Sequence, residues 1–179
     1  MSRKGKVPIQ IPKDVKAKVE ADSVSIEGPK GKLDVKIPHG IKVELVDNLI
    51  KVNRVSNIKQ YRANHGTVHA LITNMITGVT KGHKRELEIQ GIGFRAAMQG
   101  KKVVLNIGFS HQVEYEAPAE IKISVANQTS ITVEGINNLI VGQEAAKIRG
   151  LKPVEPYKGK GIRYVGENVR RKQGKSVTK

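Results

Sequence analysis

Hydrophobic and polar positions alternate with a period of two along most of the chain. In the first half the alternating stretches are VKAKVEA (from Val15), SVSIEG (from Ser23), KLDVKI (from Lys32), IKVEL (from Ile41) and LIKVN (from Leu49). In the second half they are RELEIQ (from Arg85), KVVLNI (from Lys102), QVEYEA (from Gln112), EIKISV (from Glu120) and SITVEG (from Ser130). Alternation sends successive side chains to opposite faces, so each stretch predicts a strand with one buried and one wet face, as in antiparallel sheets. The separators AD, GPKG, PHG, VDN and ANQT are turn formers.

Two stretches change period. Ile58, Tyr61, His65, Val68, Leu71, Ile72, Met75, Ile76 and Val79 recur at helical spacing, which predicts an amphipathic helix over 58–79 with a stripe broad enough to lie on a sheet. Asn57 and Gln60 have the spacing of a capping box. A second helix is predicted over Leu139–Arg149, after Asn137 and Asn138 and before Gly150 and Pro153.

The two halves are copies of one unit. At a shift of 80, Gly28 meets Gly108, Leu33 meets Val113, Val35 meets Tyr115, Pro38 meets Pro118, and Ile41 and Val43 meet Ile121 and Ile123. One inserted residue later, Ile50, Val52 and Val55 meet Ile131, Val133 and Ile136. Strands closed by one helix make an α+β unit whose helix covers a sheet face. The expected fold is therefore α+β. It has two tandem, internally duplicated domains, each an antiparallel sheet with one main helix packed on one face, plus a basic C-terminal tail. The expected boundaries are 1–82 and 83–152 for the repeats and 153–179 for the extension, which lacks periodicity.

Composition narrows the chemistry. Aromatics are 3% of the 179 residues, so the cores must be filled by Val, Ile and Leu. With no cysteine, disulfides, thiolate metal sites and cysteine nucleophiles are excluded. No window reaches the ~20 apolar residues of a membrane span, and MSRKGKVPIQIPKD lacks the apolar run of a signal peptide. A cytoplasmic protein is expected.

Charge is the strongest functional signal. Thirty-two cations against 16 acids give +16, which points to nucleic acid or an acidic membrane surface as the partner. Residues 153–179 hold 8 cations and 2 acids, whereas residues 83–152 hold 9 and 7. Within EPYKGKGIRY, Glu155–Tyr164, the rings of Tyr157 and Tyr164 can stack on unpaired bases while Lys158, Lys160 and Arg163 meet phosphate. Packing against the second domain is the alternative use for those rings, and the two are compatible. Gly159 and Gly161 allow close backbone approach. Arg170, Arg171, Lys172 and Lys175 continue the basic run, and Arg3, Lys4 and Lys6 form a second basic end.

The run GQEAAKIRGLKPVEPYKGKGIRYVGE from Gly142, with MSRKGKVPIQIP, VSIEGPKG and GIGFRA, closely resembles the bacterial large-subunit ribosomal protein six family, essentially end to end. The resemblance implies two similar α+β domains and a structural role in binding 23S ribosomal RNA. It also implies a place near the stalk base and the elongation-factor site, beside the sarcin–ricin loop, with other large-subunit proteins as neighbours. Onto Tyr157, Lys158, Gly159, Lys160, Gly161, Arg163 and Tyr164 it carries RNA contact.

Other motifs fail on context. GIGFRA (Gly91–Ala96) imitates a dinucleotide loop but leads into a turn and a strand, not a helix. GKS (Gly174–Ser176) lacks the glycine that opens a phosphate loop. His65 and His69 are four apart, without a third ligand evident. The acids alternate with apolar residues on the wet strand faces, so no catalytic constellation, cofactor, metal or small-molecule substrate is expected. An RNA-modifying enzyme with a basic substrate arm and a DNA-binding architectural protein are the competing readings.

Overall fold

The computed structural model describes residue 5, residues 7–20 and residues 22–175. They form two compact units. The first runs to His83 and takes in Ile136–Asn138; the second holds Lys84–Gly135 and Leu139 onward.

The first unit contains β1 (Ile9–Gln10), β2 (Lys16–Val19), β3 (Ser23–Gly28), β4 (Gly31–Lys36), β5 (Ile41–Val46), β6 (Leu49–Arg54) and α1 (Lys59–Thr80). Its strands divide into two sheets, ordered β2-β3-β4 and β1-β6-β5. The alternation fixes the inner face: Val24 and Ile26 of β3 and Ile50 of β6 are fully buried, whereas their sequence neighbours Lys51 and Glu27 are exposed. Val68, Ile72 and Val79 of α1 complete this core.

The second unit contains β7 (His83–Gln90), β8 (Arg95–Gln99), β9 (Lys102–Asn106), β10 (Val113–Glu116), β11 (Ile121–Asn127), β12 (Ser130–Gly135), α2 (Asn138–Leu151) and β13 (Gly161–Tyr164). Its sheets are ordered β10-β9-β8 and β11-β12-β7-β13. Leu87, Val103, Leu105, Ile131, Val133, Val141 and Ile148 fill its core. As the composition required, no buried apolar side chain among the described residues is aromatic.

The duplication extends to strands that alternation alone does not reveal. Carrying the shift of 80 back to Ile9 and Gln10 lands on Ile89 and Gln90, the C-terminal end of β7. Indeed β1 and β7 each lie beside the corresponding strand, β6 and β12. The orders β1-β6-β5 and β7-β12-β11 are thus the same, as are β2-β3-β4 and β8-β9-β10. In the second unit, β13 is added on the far side of β7.

Three local expectations are corrected. The capping box does not form: the N-cap of α1 is Ile58, with no side-chain cap. The Asn57 side-chain Oδ1 instead accepts from Arg54 Nε and NH2, at 3.1 and 2.9 Å. Residues Arg95–Gln99, where no strand is expected, form the edge strand β8 beside β9, and the expected turn follows at Gly100 and Lys101. Finally, the segment after Pro153 contributes to the core, because Ile162 is fully buried within it.

Buried polar groups are matched. Glu144 of α2 accepts from the Tyr115 hydroxyl of β10 and, at 2.6 Å, from Lys147 Nζ. Burial raises the Glu144 carboxyl, but these two donors outweigh it and hold it below the ordinary carboxylate range. Among the described residues, no buried side-chain nitrogen or oxygen lacks a hydrogen-bond partner.

Candidate nucleic-acid interface

The basic segment is launched from the end of α2 and returns to the sheet. Lys152 O accepts from Ile162 N at 2.9 Å, and Glu155 N donates to Lys160 O at 2.8 Å. Between them the chain reverses at Pro156–Lys158, where Gly159 N donates to Glu155 O at 3.0 Å. Gly159 has φ +72°, which an L side chain reaches only with strain, and a Cβ there would lie 2.9 Å from Arg171 Nε. Gly161 has φ +142°, and a Cβ there would meet Pro153 O at 2.7 Å. The two glycines therefore let the turn fold tightly and let β13 lie under its own approach.

Beyond the turn, β13 pairs antiparallel with β7: Gly161 opposite Gln90, Ile162 opposite Ile89, Arg163 opposite Glu88 and Tyr164 opposite Leu87. Arg163 Nε and NH2 donate to Glu88 Oε2 at 3.2 and 3.0 Å. Hydrogen bonds from Gln90 and then Arg163 hold the Glu88 carboxyl below its usual range. Tyr164 is partly buried against the core, with the Arg149 guanidinium 5.7 Å from its ring centre. Arg149 in turn donates to Glu167, NH2 to Oε1 at 2.5 Å and Nε to Oε2 at 3.1 Å, while Tyr164 N reaches Oε2 at 3.0 Å. The Arg149 bonds, followed by the Tyr164 amide, lower the Glu167 carboxyl.

The chain then folds back. Lys172 N donates to Pro156 O at 2.7 Å, and Arg171 packs on Gly159. The residues expected to contact a polyanion thus separate into groups. Tyr157, 53% exposed, and the exposed Lys158 stand on the turn, with the half-buried Lys160 at its end. Arg171 and Lys172 are brought onto the same turn, and Arg170 and Lys175 are exposed in the same segment. Gly159 and Gly161 are buried, whereas Arg163 and Tyr164 are half-buried and engaged with Glu88 and Arg149. Arg3, Lys4 and Lys6 lie outside the described residues.

The pattern of charges does not single out Lys152, Phe94 or Phe109, which the fold places beside this turn. Lys152 Nζ lies 4.4 Å from the Phe109 ring centre. Phe94 comes from the GIGFRA loop, where Gly91 and Gly108 both close on its ring.

Metal chemistry finds no support in the histidine pair. His65 Nε2 donates to Val52 O at 2.9 Å and His69 Nε2 donates to Val7 O at 3.0 Å. Among the described residues no group of three or more His, Cys, Asp or Glu could hold a metal ion. Nor is any described helix long and apolar enough to cross a membrane.

Comparison with known proteins covers most of the chain. The family model described as ribosomal protein L6 matches residues 11–82 and 90–165. The chain is 49% identical over 176 residues to the large ribosomal subunit protein uL6 of Oenococcus oeni, covering 98% of this chain and 99% of that protein. It is 50% identical over 176 residues to the uL6 protein of Syntrophomonas wolfei, covering 98% of each. It is also 47% identical to that of Methylacidiphilum infernorum over 179 residues, the whole length of both.

Proposed function

The chain belongs to the ribosomal protein L6 family, and from that premise we propose that it binds 23S ribosomal RNA as a structural constituent of the large ribosomal subunit. The chain is a ribosomal protein and not an enzyme. It works in the cytoplasm within the large subunit, near the stalk base and the elongation-factor site, beside the sarcin–ricin loop and against other large-subunit proteins.

One observation carries the RNA-binding part of this reading: the fold ties Arg171 and Lys172 back onto the turn that bears Tyr157 and Lys158. Collecting cations on one rigid turn costs repulsion unless phosphates neutralise it, and a turn already ordered loses less entropy on binding. Lys158, Lys160, Arg170, Arg171, Lys172 and Lys175 are assigned to phosphates, with Tyr157 as a stacking platform. Gly159 and Gly161 shape the turn, and Arg163 and Tyr164 hold it to the sheet while their outer edges face the RNA. Arg3, Lys4 and Lys6 supply further phosphate contacts from the first unit's end.

Sedimentation of cell lysate tests the assignment to the subunit. The chain should travel with large subunits and leave them at high salt; a chain found only in the soluble fraction would contradict it. Competition adds the partner: 23S RNA should displace duplex DNA, and the reverse order would favour a DNA-binding architectural protein.

A further inference from the structure

Beside the basic turn, Phe94, Phe109, Lys152, Pro153, Glu155 and Lys160 line a groove of about 460 Å³ within the second unit. Its components are unusual for solvent-facing surface. Phe109 is 42% exposed in a chain with only two phenylalanines. Its ring lies near-parallel to His111, with centres 5.9 Å apart and planes 12° apart, and carries the Lys152 ammonium over its face. The Glu155 carboxylate makes no hydrogen bond or ion pair with any described side chain, although Lys152 and Lys160 line the same groove.

We propose that this groove receives one unpaired nucleobase of the bound RNA, stacked on Phe109, with its flanking phosphate on Lys152 and Lys160 and its amino edge on Glu155. This rests on the RNA-binding reading above and extends it from phosphate contact to base contact. An ammonium over an aromatic face is held by the ring quadrupole, the same face that a base would stack upon. Entry of a base exchanges that contact for a stack and turns the long Lys152 side chain towards phosphate, where its charge is better matched. A carboxylate repels phosphate and accepts hydrogen bonds only, so at the groove it selects a base edge that carries an amino group, as cytosine does and uracil does not. The two lysines rule against an apolar peptide as the occupant, since their ammonium groups would lose water without gaining a partner.

Filter binding of the full chain to 23S RNA, with oligocytidylate and oligouridylate as competitors, tests this. Phe109→Leu keeps apolar bulk without the ring at an exposed position and should weaken 23S binding about 5-fold to 100-fold, with an unchanged dependence on salt. Phe109→Tyr should retain binding. Oligocytidylate should compete better than oligouridylate for the wild-type chain, and Glu155→Ala should remove that preference. Wild-type affinity in Phe109→Leu, or equal competition by the two oligomers, would overturn the base site. Neither result touches the basic turn, which fails separately if Lys158→Ala leaves the salt dependence unaltered.

Discussion

Arg163 sits directly across the β13–β7 ladder from Glu88, with two guanidinium nitrogens on one carboxylate oxygen at 3.2 and 3.0 Å. By charge alone, Arg163 is a phosphate ligand like Lys158 and Lys160. By position it is also the side chain that fastens the basic segment to the second sheet.

The two uses separate by substitution. Arg163→Ala should lower stability by about 1 kcal/mol, since the pair is only partly shielded from water, and should leave the salt slope of RNA binding nearly unchanged. Lys158→Ala should do the reverse. Thermal unfolding paired with binding over a salt series checks this, and a slope that falls equally in both variants would place Arg163 on phosphate.

Packing of the same segment predicts a larger effect one residue earlier in the chain. Ile162 is fully buried, and Ile162→Ala should cost about 2–5 kcal/mol. Gly161→Ala should cost about 1–3 kcal/mol, because φ +142° is strained for alanine and the Pro153 carbonyl blocks its Cβ. Denaturant titration of both variants measures these losses. Wild-type midpoints would mean that β13 is not part of the fold.

Glu88, Glu144 and Glu167 all have carboxyl pKa values below the ordinary glutamate value of 4.5. A folded-state value below the unfolded one gives stability that is full above pH 4.5 and is lost as pH falls through the lowered folded values. Unfolding free energy should therefore be flat from neutrality to about pH 5 and decline below it. Glu167→Gln, which removes the charge facing Arg149, should make that decline shallower. An identical acid limb in wild type and Glu167→Gln would exclude this pair as a source of it.

Much of the fold was legible because alternation and duplication reinforce each other. Ile26, Ile50, Leu105 and Ile131 are all fully buried on inward strand faces, as their spacing required. The division of each unit into two sheets was not legible, since alternation identifies a strand's faces but not its neighbours. Strand β13 escaped because four residues with one inward aliphatic side chain, Ile162, give no period, and their pairing partner lies some seventy residues earlier. The capping box failed because Arg54, on another element, competes for the Asn57 oxygen. At the candidate interface, residue type and spacing singled out the segment Glu155–Tyr164 but not the turn it forms. They could not show that Arg163 meets Glu88 or that Lys152 covers Phe109, because those partners are remote in sequence.

The most direct measurement is the salt dependence of 23S RNA binding by the full chain, with and without the double substitution Lys158→Ala/Lys172→Ala. If the turn presents its cations to phosphates, log affinity should fall steeply with log salt, and the double variant should reduce that slope by about one unit per lost contact. Parallel lines for the two proteins would contradict an RNA-binding turn.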